Sequence, residues 1–512
     1  MTLADIRVAT GAAARSRWDD IVSAWRSPPV RLGFYGTLLI TLGSLTPAYL
    51  PQNSPWWPPL RALGMDSVWG KALGTILVVL GAVFIMQAWF RLRPSVYKLT
   101  KHWAILVIWS APFLFAPPIF SHDAYSYAAQ GWLIQNGLNP YEFGPGVLPG
   151  AFADQVAWVW RYTPAPYGPL SLQLSHLLVV WSGFDPYLAA LLMRIPALIG
   201  VVLIVTLLPR IAHIMGVDVR EVAWLATINP LLVIDLVGGA HNDALMMGLV
   251  ILALFVAMLP ARHLPGRKAA VLRWMRRLVL PAAIVGVAAA IKQPALLAAY
   301  PVALIARPWT SWAVPQVLRT LGVVLASCLI AIGTFAGISI ATGLWFGWMN
   351  AVTVPGMSLS MAPFTLVGAG IQWLLEAFQI APSGGFALGI ARIIGLALAA
   401  VWILVLAVTK RREPVTFLSW SYLIFAICSP ALHGWYLMWG GLLLPLTRPE
   451  PPMVRGAIFI TVALLCYGAG NLAFRNEVAG IAFGGLALFA TVVYRNFRHR
   501  RGIASGDYSA GA

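Results

Sequence analysis

The chain has 512 residues, 60% hydrophobic and 10% charged, with a mean hydropathy of +0.79 and a formal net charge of +18. A soluble globular domain carries about 25% charged residues, so this balance excludes one and predicts an all-α polytopic membrane protein. In a soluble chain +18 would suggest nucleic acid; here Lys and Arg collecting in cytoplasmic loops explain it, and no nucleic-acid partner is expected.

The N-terminal tail, residues 1–31, holds Arg7, Arg15, Arg17, Arg26 and Arg31 and no small-residue cleavage site, so no removable leader is expected. Apolar segments follow at 32–50, 72–90, 103–119, 187–208, 222–237, 244–260 and 278–291. The later ones are 295–306, 320–341, 386–409, 416–430, 436–447, 456–472 and 477–494. They make roughly 12–14 membrane-spanning helices, if a span takes about 17–25 residues and fewer when short and paired. Basic residues cluster at 91–101, 262–277, 410–412 and 495–501, and at Arg210, Arg220, Arg307, Arg319, Arg448 and Arg455. Placing these clusters inside puts both termini, including the basic tail 495–512, in the cytoplasm of a multi-pass plasma-membrane protein. The stretches 169–182 and 364–380 do not fit as spans, because crossing there would carry Arg210 and Arg220, or the 410–412 cluster, outside. They are expected to lie at the outer interface. Cys328, Cys428 and Cys466 sit in apolar runs and read as small buried residues, not a disulfide framework.

Under this threading the outer face carries the loop 120–186, the turn GGAHNDAL (238–245), IKQP (291–294), the loop 342–385 and SPALHGWYLMW (429–439). These segments contain Asp123, His241 with Asp243, Lys292, and His433, and ionisable residues at membrane depth are functional candidates. The cytoplasmic face has no Walker loop and no Rossmann glycine fingerprint, so no nucleotide site is expected there.

Asp123 opens as a general base for a hydroxyl group, or as the N-cap of the helix that follows. His122 orients it or packs at the interface. Lys292 meets a lipid phosphate or snorkels to headgroups. Arg194 clamps a phosphate or pairs with Asp185 or Asp243. His241, Asn242 and Asp243 stand at a helix start, where Asn242 or Asp243 caps it or a second acid holds an acceptor sugar or a metal. The metal signal is weak, since no second ligand stands at helical spacing. His433, Trp435 and Tyr436 suit sugar C–H faces or an aromatic belt, and the belt accounts best for Trp439.

The motifs SHDAYSYAAQG, GLNPYEFGP, TPAPYGPL, LLMRIP, NPLLVIDLVGGAHND and HGWYLMW together resemble the GT-C polyprenol-phosphate-mannose-dependent mannosyltransferases of actinobacteria. The nearest likeness is to the α-1,6-mannopyranosyltransferases that build the mannan backbone of lipomannan and lipoarabinomannan, from about the first span to the last. The resemblance implies a GT-C transmembrane catalytic domain over 32–494, with juxtamembrane helices in its large outer loops and an extracytoplasmic active site. It implies a polyprenyl-phosphate-mannose donor as substrate, with no cofactor, and a mannan or lipoglycan acceptor within the membrane lipids. The family's essential acid falls on Asp123, and Lys292 and Arg194 are the donor-phosphate candidates by position. His122, Tyr125, Tyr127, Tyr167, His241, Asn242, Asp243, His433, Trp435 and Tyr436 are the sugar-contact candidates. Asp123 is followed by Ala124 and Tyr125, which leaves no Asp-x-Asp or Glu-x-Asp pair, so no metal is expected. The expected reaction is a single inverting displacement on the acceptor 6-hydroxyl, through an oxocarbenium-like transition state. The alternatives are a GT-C enzyme with another acceptor or sugar, such as protein O-mannosylation or arabinosyl transfer, a lipid-linked sugar transporter or flippase, and a structural scaffold. A transporter should carry internal repeats, and none is evident.

Overall fold

Every regular element among the described residues is a helix. The computed structural model describes residues 16–95, 101–260, 267–351, 354, 360–380 and 385–481, with 484–485, 487–492 and 494–495 beyond them. Parts of the expected 1–31 tail, the 91–101 and 262–277 clusters, the 342–385 loop, the 477–494 span and the 495–512 tail lie outside the described residues.

Among the described residues five helices are long and apolar enough to cross a membrane: Val68–Arg91, Pro186–Met215, Val314–Ala341, Phe386–Thr409 and Pro451–Arg475. The pair Val219–Thr227 and Leu232–Gly238, bent by 52°, is a broken span or a re-entrant loop. Shorter apolar helices stand beside them: His102–Leu114, Pro169–Trp181, Asp243–Met258, Gln293–Ala306 and Pro414–Cys428. The chain is therefore an all-α polytopic membrane protein. The expected span 386–409 coincides with one helix, whereas 436–447 does not form one. Leu437–Gly441 ends in Gly440 and Gly441, and a 3-10 turn, Leu444–Thr447, follows around Pro445. Two glycines raise the entropic cost of a helix and the proline removes a donor.

The chain divides into two compact units. The first holds residues 1–121, 223–239 and 454–512. Its helices Pro28–Gly43 and Val68–Arg91 pack backbone to backbone through glycines: a Cβ on Gly36 would stand 2.8 Å from the Gly81 carbonyl. Small residues allow such approach between membrane helices. Trp89 and Trp224 stack at 4.7 Å, and each indole donates to the other's carbonyl, at 2.9 and 2.7 Å. Proline has no N–H to give a helix, and at Pro230 the π-helical segments Ala223–Thr227 and Leu232–Gly238 are interrupted. Asn229 bridges the break by accepting from Leu231 N and donating to Leu225 O.

The second unit holds residues 122–222 and 240–453. Here the helices Arg194–Met215 and Asp243–Met258 lie close because Gly200 meets the backbone of Ala244 and Gly248 meets the backbone of Gly200. The helix Pro169–Trp181 begins with proline at its first position, where a missing N–H costs nothing. Just before it, the Gly168 and Leu170 amides donate to the Ile291 and Ala290 carbonyls, at 3.0 and 2.9 Å. A side chain on Gly168 would collide with Ala290. The APYGP stretch is thus laid directly on the end of the helix Leu280–Ala289, beside Lys292.

Candidate active site

Two aspartates begin two helices of the second unit. Asp123 is the first residue of Asp123–Gln135, and His122 holds the N-cap position without a side-chain capping bond. Asp243 is the first residue of Asp243–Met258, after Asn242. Neither acid is an N-cap, so the capping alternative does not describe them. The unsatisfied amides and dipole of a helix start favour negative charge there. Asn242 holds the N-cap position but makes no side-chain capping bond: its Nδ2 donates to the Ser171 hydroxyl at 3.1 Å, and its Oδ1 accepts from the Tyr127 hydroxyl at 3.5 Å. The turn before it holds Ala240 at φ 56°, a left-handed conformation costing a non-glycine residue about 1–3 kcal/mol. That turn delivers His241, Asn242 and Asp243 as consecutive inward side chains.

Asp123 keeps 17% of its side chain exposed, whereas His241 beside it keeps 1%. The His241 Nδ1 lies 3.5 Å from Asp123 Oδ2, an ion-pair distance without hydrogen-bond alignment. The His241 ring stacks on Trp435 at 3.7 Å, and Trp435 stacks on His433 at 4.7 Å, so one indole lies between two imidazoles. Burial pushes the Asp123 carboxyl up, but His241, then His433 and Lys292, outweigh it and hold the group down at about 2. Burial also lowers His433, to about 4, against the pull of Asp123. At neutral pH the site therefore presents an ionised carboxylate beside a neutral His433.

Asp243 is sealed, with 1% of its side chain exposed. Lys292 Nζ reaches both of its oxygens, at 2.9 and 3.0 Å, and Trp439 Nε1 donates to Oδ1 at 2.7 Å. The ammonium also stands over the rings of Tyr436, Trp439 and Tyr167, at 4.4, 5.4 and 5.8 Å. Burial opposes the charge on Lys292, yet Asp243 holds its pKa above the ordinary lysine value. Tyr167 is itself fixed, since Tyr141 donates to its carbonyl at 2.8 Å and Tyr127 meets its ring edge-on at 5.0 Å.

A small cleft opens on Asp123. Ser126, Gln130, Tyr167, His433 and Tyr436 help to line it. Asp123, Tyr127, Tyr167, His241, Asn242, Asp243, Lys292, His433, Trp435 and Tyr436 thus belong to one cluster. His122 packs against the Tyr125 ring at 5.8 Å. Arg194, buried at the start of Arg194–Met215, has the phenols of Tyr125 and Tyr187 as its electrostatic neighbours. Two residues stand at this site that the sequence did not suggest. Trp439, expected in an interfacial belt, is buried and bound to Asp243. Gln130 lines the cleft on the same helix face as Asp123, and only their spacing of seven residues hints at it. Among the described residues no three His, Cys, Asp or Glu side chains group closely enough to hold a metal.

The profile of a family described as alpha-(1->6)-mannopyranosyltransferase, N-terminal domain, matches residues 30–308, and one described as MptB C-terminal domain matches 364–494. The chain is similar to alpha-(1->6)-mannopyranosyltransferase A of Mycobacterium tuberculosis, 30% identical over 83% of this chain and 81% of that protein. It is 31% identical to a probable alpha-(1->6)-mannopyranosyltransferase of Mycolicibacterium smegmatis, over 90% of this chain and 86% of the relative. Alpha-(1->6)-mannopyranosyltransferase A of Corynebacterium glutamicum is 26% identical, over 85% and 92% respectively. The chain belongs to the alpha-(1->6)-mannopyranosyltransferase family and is a membrane glycosyltransferase.

Proposed function

We propose that this glycosyltransferase moves mannose from polyprenyl-phosphate-mannose to the 6-hydroxyl of an α-1,6-mannan acceptor, at a site facing the extracytoplasmic side, with both termini in the cytoplasm. The observation that carries the reading is the ionised Asp123 carboxylate opening on a cleft with aromatic and hydroxyl-bearing walls. Asp123 accepts a hydrogen bond from the acceptor hydroxyl and aims its oxygen at the anomeric carbon. As the new C–O bond forms, that hydroxyl becomes acidic, and its proton passes to the carboxylate. The bond from the anomeric carbon to the phosphate oxygen breaks, and its electron pair leaves with the polyprenyl phosphate. One displacement inverts the carbon, so a β-linked donor yields an α product and no covalent sugar intermediate is needed.

The departing phosphate calls for cationic charge placed in advance. Lys292 and Arg194 are the cations proposed for it, and Lys292 brings a charge it shares with Asp243. We carry forward the expectation that no metal or other cofactor takes part; loss of transfer in chelator, restored by a divalent cation, would overturn that.

The test is a membrane assay with synthetic polyprenyl-phosphate-mannose and a short α-1,6-mannoside, followed by linkage analysis. An added α-1,6-linked mannose is expected. A different linkage, or movement of the lipid-linked sugar with no new glycosidic bond, would refute the reading.

A further inference from the structure

The cleft beside Asp123 runs on along the helix Asp123–Gln135. Asp123, Ser126 and Gln130 line it, and spacings of three and four residues put them on one helix face. From Asp123 to Gln130 is seven residues, about 10 Å of helix axis, longer than one pyranose ring. Gln130 is 5% exposed, and its Oε1 has no hydrogen-bond partner. A buried acceptor left so costs about 1–3 kcal/mol, which a hydroxyl donor from a ligand relieves. Trp160 and Thr163 also line the cleft. The helix carrying Trp160, Trp158–Arg161, is tied down by Arg161, whose Nη2 donates to the Asp154 carbonyl at 3.2 Å. Among the described residues no Lys or Arg lines this cleft. One carboxylate, an amide, hydroxyls and an indole face suit a neutral polyhydroxyl ligand and not a phosphate.

We infer that Gln130 and Trp160 form a second acceptor subsite. With the reacting hydroxyl at Asp123, this subsite holds the pyranose behind it, so the enzyme selects acceptors of at least two sugar units. The inference rests on the mannosyl-transfer reading above and adds to it a rule for acceptor length.

The experiment compares α-linked mannose mono-, di- and trisaccharide acceptors in the transfer assay, for the native protein, Gln130→Leu and Trp160→Ala. For the native protein the acceptor KM is expected to fall about tenfold from mono- to disaccharide, the value of one good buried hydrogen bond, and little further to trisaccharide. Gln130→Leu should erase that step while the donor KM stays put. Trp160→Ala, a change at a partly exposed side chain, should do the same and serves if Gln130→Leu does not fold. Equal KM for mono- and disaccharide in the native protein, or a donor KM that rises with the acceptor KM in the variants, overturns the subsite. Binding of the α-1,6 disaccharide without donor, followed by saturation-transfer NMR, separates the two claims. Gln130-dependent binding without any mannose transfer keeps the subsite and sinks the transfer reading. Transfer with no Gln130-dependent binding does the reverse.

Discussion

Asp123 and Asp243 are the same residue at the same position, the first of a helix, in the same unit of the molecule. Their surroundings differ in every respect that governs chemistry. Asp243 is closed off, and an ammonium and an indole N–H satisfy its oxygens at ordinary hydrogen-bond lengths. Asp123 keeps 17% of its side chain exposed, opens on a cleft and has the His241 imidazole 3.5 Å away. A carboxylate whose lone pairs are already committed has nothing to offer a substrate. One that opens on a cleft can still accept a proton from a substrate. The helix dipole lowers the cost of charge at both sites, so the dipole does not choose between them; exposure does.

The sharpest way to break this contrast is to neutralise each acid in turn. Asp123→Asn should lower transfer about 10²–10⁴-fold, the usual worth of a general base, while thermal unfolding in detergent stays near that of the native protein. Near-normal transfer by Asp123→Asn would move the base elsewhere. Asp243→Asn should act the opposite way, lowering stability by about 3–5 kcal/mol because it leaves Lys292 buried without its counter-charge. Replacing both partners, Asp243→Leu with Lys292→Met, should recover much of that loss, since an apolar pair avoids the desolvation penalty. If Asp243→Asn were as stable as the native protein yet inactive, the two acids would have exchanged roles.

A subtler change converts Asp123 toward an ordinary buried acid. His241→Phe keeps a ring against Trp435 but removes the nitrogen facing Asp123. Burial then acts with less opposition, so the Asp123 pKa must rise from about 2. The base works when ionised, so activity falls as pH drops through this pKa. In the native protein that limb lies below the pH where His433 takes a proton, near 4. In the variant the limb should move upward into the measurable range. An unmoved acid limb would show that His241 does not set the charge of Asp123.

How much of this was legible in advance depends on the range of the interaction. Composition alone gave the all-α membrane class, and an apolar run with Arg392 as its one charged residue located Phe386–Thr409 to the residue. The polar residues of SHDAYSY, GGAHND, IKQP and HGWYLMW were recognisable as misfits in an apolar chain, and the fold does bring them together. Their pairing was not legible. Lys292 finds Asp243 from 49 positions away, and Trp439 finds it from 196. Nothing in a linear pattern selects Asp243 over Asp185 as a partner for a cation. Trp439 looked like a belt residue because an indole at a membrane edge and an indole donating to a buried acid have the same sequence signature. The 436–447 segment misled for a local reason: hydropathy counts Gly440, Gly441 and Pro445 as compatible with a span, while backbone geometry does not.

The smallest expected effect probes what holds the two acids apart. Gly168 lies against the Ala290 carbonyl, and its amide bonds to Ile291, one residue before Lys292. Its neighbour Tyr167 places a ring near the Lys292 ammonium and also lines the cleft at Asp123. Gly168→Ala would push a methyl group into backbone that cannot rotate away, costing about 1–3 kcal/mol as overpacking does. The displacement should be felt at both ends of Tyr167. Stability should fall modestly through the Asp243–Lys292 side, and the acceptor KM should rise through the cleft side, with the acid limb of the pH profile unchanged because His241 has not moved. Measured together, unfolding temperature and acceptor KM distinguish this from a purely structural lesion. A variant that loses stability but keeps the native acceptor KM would mean that the sealed pair and the open carboxylate do not communicate through Tyr167.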